Sequence, residues 1–185
     1  VLNKGQMVAA ENETTTSPAW TTAGPTKSLK DALAPGVSTK ELAARIVERI
    51  NQKEGLQRLE VGDRGQIRLN NNILFSFGEA QLNPEGLKVL GLLAEELQAL
   101  PHGIRVEGHT DNVPIRTAQY PSNWELSTAR AVNVVKYLSG RGNLNPGRLS
   151  AAGYADAKPL RPNTSSENRA GNRRVELVLL KGKNQ

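Results

Sequence analysis

Asp111 and Arg130 are the pair whose types and spacing could hold a small charged ligand. Asp111 follows a short alternating stretch, Ile104 and Val106 interleaved with Arg105 and Glu107, which reads as a strand. Arg130 falls two turns into a predicted helix that opens at Ser122, with Glu125 three positions on, as in a capping box. Strand, loop and helix in that order set a carboxylate just past a strand end and a guanidinium on the next helix. In open α/β sheets, ligands sit in that crevice. A carboxylate accepts hydrogen bonds from an ammonium, and a guanidinium matches a carboxylate with two parallel ones. The pair therefore suits a ligand carrying both an amine and a carboxylate. The plainer reading is that Asp111 caps its loop and Arg130 pairs with it or with a surface acid, a contact of small worth.

The helix must position Arg130. At about 100° per residue, Trp124, Ala131, Val134, Val135 and Leu138 share an arc about 100° wide, the stripe expected to meet a core. Arg130 lies roughly 40° outside that stripe, beside Leu126. Its loss is therefore expected to open no core cavity.

Other chemistries find less support. There is no cysteine, which excludes thiol catalysis, zinc–thiolate sites and disulfides. His109 and Asp111 lack a third metal ligand at useful spacing, and His102 is placed on the opposite side of the strand. Ser127 has no histidine positioned by a motif, and Gly-x-Ser-x-Gly is absent, so neither an enzyme nor a cofactor is expected. The net charge is +6, yet the basic residues are scattered and aromatics make up only 4%, too few for a base-stacking platform. Nucleic acid is not an expected partner.

Three separated motifs occur in one order: Gly108-His109-Thr110-Asp111, Asn123-Trp124-Glu125-Leu126-Ser127-x-x-Arg130-Ala131, and Asn172-Arg173-Arg174-Val175-Glu176. They resemble the OmpA-like peptidoglycan-binding domain, over a stretch from about Ile73 to Leu180. The resemblance implies non-covalent binding of the diaminopimelate of a wall peptide by Asp111 and Arg130. It also implies that Thr110, Asn123, Leu126 and Ser127 belong to the same pocket. For Asn123 the competing reading is a solvated first-turn residue, and for Leu126 a core leucine. Arg173 and Arg174 read as an arginine pair on an edge strand, with a structural or peripheral role.

Within that family, Asn112-x-Pro114-Ile115, the stretch from Ser122 to Ser127, and Gly153-Tyr154-Ala155 with Pro159 are most similar to the flagellar stator branch, the MotB-like proteins. That similarity implies a wall anchor for a motility stator, periplasmic and homodimeric. It further implies attachment to the inner membrane and a MotA-type channel subunit, contacted through a membrane helix that these residues do not include. The alternative is an OmpA- or Pal-type structural anchor linking the outer membrane to peptidoglycan.

The organisation expected is threefold. Residues 1–36, rich in Thr, Ser, Pro and Gly, read as a linker or an appended segment. Residues 37–70 read as a leading helix and hairpin. The helix is capped by Ser38 with Glu41, and Leu42, Ala43, Ile46, Val47 and Ile50 form an apolar face that needs either this domain's sheet or a second subunit. Residues 71–182 form the binding domain. They include a short apolar strand or loop at Ile73–Phe77, with both phenylalanines in the core. A helix starts at Asn83-Pro84, with Leu87, Leu90, Ala94 and Leu97 on its buried side. Strands are predicted at Arg148–Tyr154 and Arg173–Leu180, around a Pro- and Asn-rich loop. The fold class is α/β, an α+β sandwich of β-α-β-α-β-β order, with a mixed sheet, helices on one face and an extra leading helix.

Overall fold

A computed structural model describes residues 36–54 and 59–180, so nearly all of the expected linker lies outside the described residues. The elements are α1 (Thr39–Glu54), β1 (Leu59–Val61), β2 (Ile67–Asn70), α2 (Asn71–Leu74), α3 (Pro84–Gln98), β3 (Gly103–His109), α4 (Asn123–Ser139), β4 (Leu149–Gly153), α5 (Ser166–Asn172) and β5 (Arg174–Leu180). Five strands form one mixed sheet in the order β1-β2-β5-β3-β4, in which only β3 and β4 run parallel. The predicted α+β fold class with a mixed sheet is the one observed.

Period-two alternation decides the two faces of that sheet. Ile67, Leu69, Ile104, Val106, Val175, Leu177 and Leu179 are buried on one side. They form one core with apolar residues of α1, α3 and α4. Arg68, Arg105, Glu107, His109, Arg174 and Glu176 occupy the alternate positions. The apolar face of α1 is buried in the same core, so this domain's own sheet and α3 satisfy it. That face therefore lends no support to a dimer. The 37–70 segment likewise shares the sheet and core of the residues that follow it.

Several local expectations are corrected. Ile73 belongs to the short helix α2 rather than to a strand, and Phe75 forms an isolated bridge to Leu82. Phe75 is buried as expected, but Phe77 is 94% exposed. Leu87 is only half-buried, and Val89 and Leu93 join the inner side of α3 instead. The loop after β4 contains α5, whose seven residues have too little apolar periodicity to announce a helix. β5 is the middle strand, not an edge, because β2 and β3 flank it on both sides.

On α4 the buried positions are Leu126, Ser127, Arg130, Ala131, Val134 and Leu138. They span an arc of about 140° that includes Arg130 and leaves Trp124 just outside. Trp124 is accordingly 53% exposed. The seat of α4 on the sheet is made by two glycines that pair across β3 and β4, Gly108 and Gly153. A Cβ at Gly108 would lie 2.1 Å from the Ser127 carbonyl oxygen, and one at Gly153 would lie 2.6 Å from the Thr128 nitrogen. Among the described residues, no helix is long and apolar enough to cross a membrane.

Candidate functional site

β3 ends at His109, and the chain turns there under backbone control. Thr110 N–H donates to the Ala155 carbonyl at 2.8 Å, and the Thr110 hydroxyl donates to the Asp111 carbonyl at 2.8 Å. Asp111 is 5% exposed. Its Oδ1 accepts from Val113 N–H at 3.0 Å, which shapes the loop, and its Oδ2 accepts from Arg173 Nη1 at 2.5 Å. The Asn123 side chain then clamps the same loop from the first turn of α4. Its Nδ2 donates to the carbonyls of Asp111 and Val113, and its Oδ1 accepts from Ile115 N–H.

Arg130 lies off the apolar stripe expected from the helical wheel, yet it is 3% exposed, so it is part of the buried face of α4. Its Nε donates to the Glu79 carbonyl at 2.8 Å, and its guanidinium carbon sits 5.3 Å from the centre of the Phe75 ring. Among the described residues, no protein acceptor takes its two terminal amino groups. Burial lowers its pKa to about 10, with Arg173 adding repulsion and Tyr120, Asp111 and Glu79 opposing. It stays charged at neutral pH.

A cleft of about 230 Å³ opens between these elements. Asp111, Arg130, Thr110, Asn123 and Leu126 all line it, joined by Asn71, Phe77, Arg173 and the loop from Val113 to Ile115. Leu126 forms a small apolar cluster with Ala80 and Tyr120 apart from the main core, and this cluster adjoins the cleft. Ser127 stands apart from the other predicted site residues. It is fully buried and outside the lining; its hydroxyl donates to the Trp124 carbonyl and accepts from Ala155 N–H, so it ties α4 to the turn after β4.

Arg173 is not peripheral, because the strand it precedes is not an edge. It is instead the residue that caps α5, and it delivers its guanidinium onto Asp111. Its position in the Asn-Arg-Arg motif was a usable signal. For Phe77 and Asn71 the sequence offered none. A larger cavity of about 550 Å³ shares Asn71 and Arg173 with the cleft but none of the predicted site residues.

The outer face of the sheet brings Glu107, His109 and Glu176 together, with potential ligand atoms within 4.8 Å of one another. That set includes His109 but not Asp111, so it is a different cluster from the pair weighed in the sequence. The carboxylates are already matched, however: Arg105 donates to Glu107 at 2.7 Å, and Arg174 and Arg68 donate to Glu176 at 2.8 and 3.2 Å. Adding a cation beside three guanidiniums is electrostatically unfavourable. His109 is 1% exposed with no hydrogen-bond partner on either ring nitrogen. The nearest carboxylate oxygen, on Glu107, lies 3.8 Å away, and the ring stacks on Tyr154 at 5.4 Å.

A pH prediction follows from this cluster. Burial lowers the pKa of His109 below 6.5, so the unfolded chain takes up the proton first as pH falls. Stability present at neutral pH is thus lost on acidification through that range, and buried His102 adds in the same direction. Glu107 is held down to about 2 by the adjacent His109 and by Arg105, against the opposing effect of burial. Its contribution is present above 4.5 and is lost as pH falls from there toward 2. The Tm should fall steadily from pH 7 to 5, and His109→Phe should shallow that slope to the part due to His102. An unchanged slope in His109→Phe would remove His109 as its source.

Comparison with known proteins matches this geometry to a family. Residues 74–173, more than half of the chain, match the OmpA family. The protein YtxE of Bacillus subtilis is 45% identical over 62% of this chain and 48% of its own length. Motility protein B of the same organism is 38% identical over 62% of this chain and 44% of its own length. The chain thus spans about half the length of these curated relatives. Among solved structures, a MotB-like protein from Desulfovibrio vulgaris superposes with a TM-score of 0.70 at 33% identity, covering 77% of this chain and 94% of that one. The cell wall anchor of the type VI secretion system of Pseudomonas aeruginosa gives 0.67 at 34% identity, covering 74% and 97%. With the motifs, the sheet order and the cleft all in place, the chain belongs to the OmpA family.

Proposed function

We propose that the cleft binds the stem peptide of peptidoglycan through the zwitterionic end of its diaminopimelate, and that the domain anchors a flagellar motor stator to the cell wall. One observation carries the reading: a buried guanidinium with both terminal amino groups unspent lines the same small cleft as the Asp111 carboxylate. Arg130 takes the ligand carboxylate as a fork. Asp111 takes the ammonium, sharing its charge with Arg173. Asn123 and Thr110 hold the loop that carries Asp111, Leu126 supports the apolar wall, and Ser127 fixes α4 behind them. No bond is made or broken.

Two of the named relatives support the stator reading, a motility protein B and a MotB-like protein. It places the domain in the periplasm, as a homodimer, with a MotA-type channel subunit reached through a membrane segment outside these residues. The resemblance to a secretion-system wall anchor favours a second reading, a structural anchor of OmpA or Pal type using the same cleft.

The test is co-sedimentation with sacculi whose stem peptides contain diaminopimelate, with free meso-diaminopimelate as competitor. Asp111→Asn keeps an acceptor for Val113 N–H but loses the charge, and leaves the Arg173 cation facing the ammonium. One charge-assisted hydrogen bond contributes about 1.5–3 kcal/mol, so binding should weaken at least tenfold. Asp111→Ala should weaken it further. Wild-type binding by Asp111→Asn would remove Asp111 from the site.

A further inference from the structure

Phe77 and Val113 are exposed by 94% and 56%, and both stand on the lining of the cleft. Neither is a loose surface residue. Phe77 precedes Gly78, whose φ of +72° makes a turn closed by Glu79 N–H donating to the Ser76 carbonyl at 3.1 Å. That turn is fastened at Glu79 by Arg130, and the following Ala80 carbonyl accepts from Asn133 Nδ2 at 2.7 Å. On the other side, the loop bearing Val113, Pro114 and Ile115 is held by the amide of Asn123. The two sides come near each other at Gly78, where an added Cβ would lie 3.9 Å from Ile115 Cδ1. The side chains that build the charged cleft therefore also hold an apolar rim around it.

We infer that Phe77, with Val113 and Pro114 across from it, is a specificity-determining contact for a small apolar residue beside the charged end of the ligand. In a wall peptide this is the methyl group of the alanine next to diaminopimelate. The inference rests on the function proposed above. At about 230 Å³ the cleft is smaller than the roughly 300–1,000 Å³ that drug-sized ligands fill, so it houses one amino-acid end and the next residue lies at the rim. Phe77, Val113 and Pro114 are exposed apolar side chains that share the lining of the cleft with its charged pair. Here the rim is continuous with the cleft and held by its residues, which makes the same ligand its occupant.

The experiment is calorimetric titration of the full chain with three probes: meso-diaminopimelate, diaminopimelyl-alanine and diaminopimelyl-glycine. Wild type should bind the alanyl peptide about fourfold more tightly than the glycyl one, the worth of one buried methyl. Phe77→Ser should erase that ratio and weaken the alanyl peptide about five- to tenfold, a larger loss than it causes for meso-diaminopimelate. Because Phe77 is almost wholly exposed, its Tm should stay at the wild-type value. An alanine-to-glycine ratio that survives in Phe77→Ser overturns the inference while leaving the parent reading standing. Failure of wild type to bind any of the three probes removes both. A sedimentation coefficient altered by Phe77→Ser, with peptide affinity unchanged, makes the rim an interface between copies and equally overturns the inference.

Discussion

Arg130→Ala is expected to abolish binding to sacculi and to lower the Tm. Two charge-assisted hydrogen bonds to a ligand carboxylate at about 1.5–3 kcal/mol each put the loss of affinity at a hundredfold or more. The effect on stability follows from burial. Arg130 is 3% exposed, its Nε satisfies the Glu79 carbonyl, and its guanidinium faces the Phe75 ring. Removing it strands that carbonyl and empties the space beside Phe75, together about 2–4 kcal/mol, or roughly 5–12 °C for a domain of this size. Arg130→Lys keeps the charge but cannot supply both the Nε contact and the fork, so it should recover some stability and little binding. Binding measured well below each variant's Tm, beside circular dichroism melts, separates the two effects. Wild-type affinity in Arg130→Ala would place the carboxylate site elsewhere. A wild-type melt would mean that the buried guanidinium contributes nothing to the fold.

Arg130 also shows where the sequence was legible and where it was not. The motifs single out Asp111 and Arg130, which line one cleft, and the capping signals at Ser122 and Asn83 mark the starts of α4 and α3. Alternation in β3 and β5 identified the core face. What failed was the orientation of α4, because hydropathy counts a guanidinium as outward-facing. The wheel carries the stripe out to Trp124 and Val135 at its far edge, while the seat on the sheet is set by Ser127 and Thr128 pressing on two glycines. Close backbone approach leaves no apolar signature. The role of Arg173 is hidden in the sequence for a related reason: strand order is a long-range property, and the pairing of β2 with β5 that places β5 mid-sheet joins residues more than a hundred positions apart. Phe77 looked like core because it is a phenylalanine, and only the turn at Gly78 turns it outward.

A loss of stability as large should come from Gly108→Ala, although only a methyl group is added. Gly108 pairs with Gly153 on the neighbouring strand, and together they form the floor on which the Ser127–Thr128 turn of α4 rests. A Cβ at Gly108 would lie 2.1 Å from the Ser127 carbonyl oxygen and 2.9 Å from its carbon. Both are backbone atoms in the middle of a helix, so no rotamer change relieves the clash. α4 must lift from the sheet. Overpacking of a core costs about 1–3 kcal/mol where side chains can yield, and here the upper end or beyond is expected, a Tm loss of roughly 6–12 °C. The function follows the helix. Arg130 lies one turn after Ser127 and Asp111 three residues after Gly108, so lifting α4 separates the two charged groups and weakens sacculus binding even below the melt. Gly171→Ala is the matched control: nothing lies within 4 Å of its Cβ, and alanine in α5 should be neutral or stabilising by about 0.5–1 kcal/mol. A Gly108→Ala variant that melts and binds like Gly171→Ala would mean that α4 is not seated on these strands as described.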